Sequence, residues 1–150
     1  MTKYQKILAE FRSNSTLTKK IYDRTMEPLC SQYHISRMEL DILLFLANNP
    51  GYDTAKDIVC QKRFTKSHVS TSLHLLEEKG FLERSLHSGN NKTVHLKLLP
   101  AASRIVADGQ EAQRQVFNRI FGCLTPEEAA FMELVSQKIN AAIRGALNDQ

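Results

Sequence analysis

Between residues 62 and 92 the chain gathers side chains suited to reading a polyanion. Lys66, Ser67, His68, Ser70, Thr71 and His74 lie close together and offer hydrogen-bond donors and acceptors on mostly short side chains. Groups of that kind meet base edges in a DNA groove. Lys62 and Arg63 precede them, and Arg84, Asn90 and Lys92 follow, the last two beside a Gly-Asn-Asn tip. These are groups for phosphate and sugar, which position a protein on DNA without reading its sequence. Catalysis fits less well. No Gly-rich phosphate loop, Gly-x-Ser-x-Gly or His-Glu-x-x-His is present, and the pairs Glu77-Glu78 and Glu127-Glu128 are adjacent, so they point apart on a helix. No enzyme is expected.

Metal and redox chemistry are weak on the same grounds. His34, His68, His74, His87 and His95 form no pair at ligand spacing, and Cys30, Cys60 and Cys123 form no Cys-x-x-Cys. No metal and no cofactor are expected, and the thiols are expected to be reduced and mostly buried. Cys60 sits beside Gln61-Lys62-Arg63. Cations can activate a thiol, so a cysteine-based redox-sensing regulator stands as an alternative.

The elements that must position the polar cluster are legible from periodicity. At about 100° per residue, Val69, Leu73 and Leu76 share one side of a helix capped by Thr65, while Ser67, Ser70, Thr71, His74 and Glu78 share the other. A helix held by one face with a free polar face opposite is what a major groove accepts. That helix is expected to end at Lys79-Gly80. Before it, Thr54-Ala55-Lys56-Asp57 opens a short helix with a cap and an acid three residues on, carrying Ile58 and Val59 inward. After it, residues 81–86 and 93–98 alternate as strands around Ser88-Gly89-Asn90-Asn91, with Val94, Leu96 and Leu98 on one face. Short helix, tight turn, helix and hairpin make a winged helix-turn-helix pattern.

The flanks read as helices. The first carries Tyr4, Ile7, Leu8, Phe11, Ile21, Tyr22 and Met26 and is expected to end near Pro28. Ser36 and Glu39 form a capping box for the second, with Ile35 and Leu40 as its staple, and Asn49-Pro50-Gly51 stops it. Pro100 opens a long helix punctuated by Gly122, and Thr125-Pro126-Glu127-Glu128 starts the last. The fold class is therefore mainly α with a small β-hairpin wing (α+β). A single domain spans 1–150, with a winged helix-turn-helix body at 36–99 and dimerisation helices at 1–30 and 100–150. One small body cannot cover the apolar stripes of the end helices, and a two-fold partner would.

Composition permits this reading. The chain is 42% hydrophobic and 24% charged with a net charge of +4, compatible with a polyanionic partner. Its longest apolar run, Ile42 to Ala47, falls far short of the roughly 20 residues that span a bilayer. The first residues lack the apolar stretch of a signal peptide, so a cytoplasmic location and no membrane partner are expected.

Residues 54–102 resemble the core of the MarR family of transcriptional regulators. The resemblance rests on Thr54-Ala55-Lys56-Asp57-Ile58, Lys66-Ser67-His68-Val69-Ser70, the run from Leu73 to Leu82, and the restart at Leu98-Leu99-Pro100. It implies a homodimer bound to double-stranded DNA at a pseudo-palindromic operator, more often as a repressor, and release by a small hydrophobic or aromatic effector. Tyr22, Met26, Tyr33, Phe45 and Phe117 are the candidate liners of an effector pocket. The family's wing commonly has Asp and Arg where Asn90 and Lys92 stand, and its recognition helix often has Arg where Thr71 stands. A winged-helix protein-interaction module without specific DNA binding is the other alternative.

Overall fold

A computed structural model describes residues 1–86 and 92–149. The elements run α1 (Lys3–Tyr33), α2 (Arg37–Asn48), α3 (Ala55–Lys62), α4 (Lys66–Glu78), β1 (Leu82–Leu86), β2 (Val94–Leu98), a 3-10 turn at Pro100–Ala102, α5 (Ser103–Phe121) and α6 (Pro126–Asn148). The chain divides into two compact units, Met1–Arg114 and Gln115–Gln150, with α5 beginning in the first and ending in the second.

Local chemistry sets most boundaries of the first unit. Ser36 and Glu39 close a reciprocal cap on α2, and Thr54 and Asp57 do the same on α3. Thr65 accepts from the His68 N–H at the start of α4. Helix α4 ends where Gly80 takes a φ of 74°. There the Phe81 N–H reaches Leu76 O and the Gly80 N–H reaches Glu77 O, a pairing that consumes the last carbonyls and turns the chain straight into β1.

Helix α1 runs past Pro28, not ending there as its sequence suggests. A proline inside a helix removes one backbone bond, but Met26 is fully buried and Leu29, Cys30 and Tyr33 pack against the core beyond it. The last turn is closed by His34 in a left-handed conformation, whose N–H reaches Cys30 O. Tertiary packing on both sides of Pro28 thus outweighs the missing bond. Pro100 opens the 3-10 turn, and the α-helix begins three residues later.

Leu40, Leu43, Ile58, Val69, Leu73, Leu76, Leu82 and Leu96 form the heart of the core, uniting α2, α3, α4 and the hairpin. The strands pair antiparallel with Leu82 opposite Leu98, Arg84 opposite Leu96 and Ser85 opposite His95. On β2, Leu96 is buried, Leu98 half-buried and Val94 exposed, so only the root of the expected apolar face is covered. At the amino end of α1, Tyr4, Ile7, Leu8 and Phe11 are exposed.

In the second unit, Thr125 and Glu128 form a capping box with Pro126 in the first turn of α6. Helix α6 has no buried residue, and Phe131, Leu134, Ile139 and Ile143 are exposed along it. Among the described residues, no helix is long and apolar enough to cross a membrane.

Candidate nucleic-acid interface

Helix α4 separates its two faces as the spacing predicts. Val69, Leu73 and Leu76 are buried, while Lys66, Ser67, His68, Ser70, Thr71 and His74 are all exposed. Ser72, which the periodicity leaves unassigned, is buried as well. Two of the outward groups have internal partners. The Thr71 hydroxyl donates to Ser67 O at 3.0 Å, leaving its oxygen to accept, and His74 Nε2 lies 3.2 Å from Glu78 Oε1. The remainder of that face is polar, short and open to solvent.

The turn into α4 holds a second cluster. Lys62 is the last residue of α3, and Arg63 follows it in a left-handed backbone conformation with φ 55°. Both are exposed, and Phe64 is half-buried behind them, packed on the core. A non-glycine residue in this region is uncommon and costs backbone energy. Arg63 adopts that conformation as the residue that closes α3, in the short turn leading into α4.

Register decides what the hairpin presents. Arg84 lies opposite Leu96, on the core side of the sheet, and its Nε reaches Glu77 Oε2 of α4 at 3.0 Å. Lys97 pairs loosely across the strands with Glu83 at 3.6 Å. Lys92 is exposed two residues before β2. Asn90 lies outside the described residues, as does His87.

The thiols differ from expectation. Cys30 is half-buried, but Cys60 and Cys123 are exposed. Cys60 stands two residues beyond the fully buried Ile58, about 200° further round α3, and so turns toward solvent. With Val59, Val69 and Leu73 it lines an open cleft of about 440 Å³ between α3 and α4. Burial pushes the Cys30 thiol pKa up despite the nearby Arg37 guanidinium. Among the described residues no His, Cys, Asp and Glu cluster could hold a metal.

The five candidate effector liners have these surroundings. Met26 and Phe45 are buried in the core. The Tyr22 hydroxyl accepts from Gln113 Nε2 at 2.7 Å, Arg37 stacks 4.9 Å above its ring, and burial raises its pKa. The Tyr33 hydroxyl donates to Asp108, which holds its pKa up. Phe117 belongs to the second unit and is exposed.

Two polar pairs that hold the helix pair and wing in place were not evident in the sequence. Glu39 is buried, its Oε1 taking a 2.6 Å bond from Lys79 Nζ while Oε2 accepts from the Ser36 N–H at 2.7 Å. Burial works to raise the Glu39 pKa, but the bonds from Lys79 and Ser36 outweigh it and hold the carboxyl below the ordinary glutamate range. Lys79 also donates to His34 O, so one ammonium joins the ends of α1 and α4 to the start of α2. The second pair is His95 Nδ1 with Asp53 Oδ1, at 2.8 Å. Partners about forty residues apart follow no local spacing rule, so no sequence signal identifies them.

Residues 34–91 match the family described as MarR family. An uncharacterized HTH-type transcriptional regulator, YwhA of Bacillus subtilis (strain 168), is 28% identical over 105 residues, which are 69% of this chain and 75% of that protein. Among solved structures, the transcriptional regulator PA3341 superposes with a TM-score of 0.77 at 21% identity, covering 95% of this chain and 98% of that one. The S. aureus MepR–DNA complex superposes with a TM-score of 0.69 at 20% identity, covering 95% and 99%. At these identities the superpositions speak for the fold.

Proposed function

We propose that this chain is a MarR-type regulator, a homodimeric repressor that binds a pseudo-palindromic operator in the cytoplasm. The observation that carries the reading is α4: one face buried, the other an uninterrupted polar surface from Lys66 to His74. Such a helix, followed directly by a hairpin, is suited to the major groove with the wing on the backbone beside it. Lys66, Ser67, His68, Ser70, Thr71 and His74 take the groove. Lys62, Arg63 and Lys92 take phosphate, while Arg84 serves the interface by bracing the wing on Glu77. Two α4 helices related by a dimer axis would enter successive grooves about 34–36 Å apart. The solved MepR relative was crystallised with DNA, which supports the same use of the fold. A small hydrophobic effector bound near Tyr22 and Tyr33 would release the operator by shifting the dimer away from its DNA-competent form.

Fluorescence anisotropy of the purified chain tests this, using DNA from upstream of its own gene, a scrambled duplex and a salt series. Tight binding to the first, weak binding to the second and a steep salt slope support the regulator. Lys92→Ala should weaken binding to every duplex and lower the slope by about one unit per bound protomer. No selectivity, even after selection from a random library, would favour an interaction module.

A further inference from the structure

We propose that His95 is a positioning residue for the wing, acting through Asp53 to hold Lys92 in register with α4. The inference rests on the DNA-binding reading above.

Strand β2 has β1 on one edge and would otherwise leave the other edge bare. Asp53 covers that edge twice. Its carbonyl oxygen accepts from the Leu96 N–H at 2.7 Å, and its carboxylate meets His95 Nδ1 at 2.8 Å, so adjacent residues of β2 are tied to one aspartate by main chain and side chain. Asp53 directly precedes Thr54, whose cap on α3 is locked by Asp57 through three hydrogen bonds of 2.8–3.1 Å. The wing root is thereby joined to the first helix of the helix-turn-helix pair. The opposite strand is joined to the second helix by Arg84 and Glu77. Each strand of the hairpin is thus fastened to one helix, which makes wing and recognition helix a single docking body.

Partly exposed polar pairs of this kind contribute little to stability, and the His95 and Asp53 side chains keep 22% and 38% of their exposure. Geometry is the better account of the pair. Lys92 lies three residues from His95, in the turn that leads into β2, so at most about 10 Å separates them along the chain. A tilt of about 15° at the root would carry its ammonium roughly 2–3 Å, enough to break a charge-assisted hydrogen bond to phosphate.

The test is operator binding by fluorescence anisotropy across a salt series, with the full-length His95→Ala, Lys92→Ala, double and His95→Asn variants. His95→Ala should lower the salt slope by about one unit per protomer, as Lys92→Ala does. The double variant should lose no more than either single one, since both act through the same contact. His95→Asn keeps an amide N–H near the position of Nδ1 and should restore the slope. Losses that add, or a His95→Ala slope equal to wild type, overturn the inference while leaving the regulator reading intact. If His95→Ala does not fold by circular dichroism, Asp53→Ala in place of it carries the same comparison. A wild-type chain without salt-dependent binding to any duplex overturns both readings together.

Discussion

At the scale of single residues, polar side chains set the position of α4 as firmly as apolar ones do. Glu39 has its carboxylate held below the ordinary range by Lys79 and Ser36 against the effect of burial. A depressed folded-state pKa contributes stability that is fully present above the ordinary glutamate value and is lost as the pH falls through the lowered one. Glu39→Gln keeps a cap for the Ser36 N–H but leaves the Lys79 ammonium facing a neutral amide. We expect it to cost about 1–3 kcal/mol near neutrality and to flatten the acid limb of stability, read by urea denaturation from neutral to acid pH. An acid limb as steep as that of wild type would assign that limb to other carboxylates, Asp23 first, which Lys19 and then Arg37 hold low. Arg63 is the opposite case, a charged residue where the backbone favours glycine. Arg63→Gly relieves about 1 kcal/mol of left-handed cost and restores roughly as much freedom to the unfolded chain. Stability should therefore stay nearly level while the salt slope of DNA binding falls by about one unit per protomer. A large fall in stability with DNA binding intact would make Arg63 a structural residue.

Elements were legible wherever their determinants are local. Ser36 and Glu39, Thr54 and Asp57, and Thr125 and Glu128 each sit three residues apart, so the cap can be read from the chain and is found as read. The two faces of α4 follow from 3.6-residue periodicity alone. Thr2 and Gln5 cap α1 by the same rule. What stayed hidden depends on tertiary neighbours. Pro28 stays inside α1 because the core holds both sides of it, and Arg84 turns toward α4 because strand register sets it opposite Leu96. The seat of α5 on α2 is equally non-local. Gly109 brings the two close enough that an added Cβ would stand 2.7 Å from Leu44 Cδ2, and Leu44 is buried. Gly109→Ala gains helix propensity but overpacks this contact. We expect a net loss of about 1–2 kcal/mol, measured by thermal or urea unfolding. A gain in stability would mean that Leu44 rotates aside without cost.

Over the whole molecule, what a single copy leaves uncovered is the main clue to how the chain works. Helix α6 buries nothing, and Phe131, Leu134, Ile139 and Ile143 stay 50–67% exposed along it. A helix with that much apolar surface in water calls for a partner, and a two-fold copy of the same helix supplies a self-complementary one. Each such side chain, once covered, contributes roughly 1.5–3 kcal/mol, so one charge set among them should undo the pairing. Ile139→Glu is expected to turn a dimer into a folded monomer in sedimentation equilibrium, with the circular dichroism of the winged body retained. The consequence for DNA follows from valency. In the proposed mechanism a monomer would grip one half-site, and losing the second engagement should weaken binding to the full operator by about 10²–10⁴-fold, while binding to an isolated half-site stays as it was. A monomeric variant with undiminished operator affinity would remove the dimer from the mechanism. A variant that stays dimeric would move the interface to another surface, with Tyr4, Ile7, Leu8 and Phe11 at the amino end of α1 the next to test.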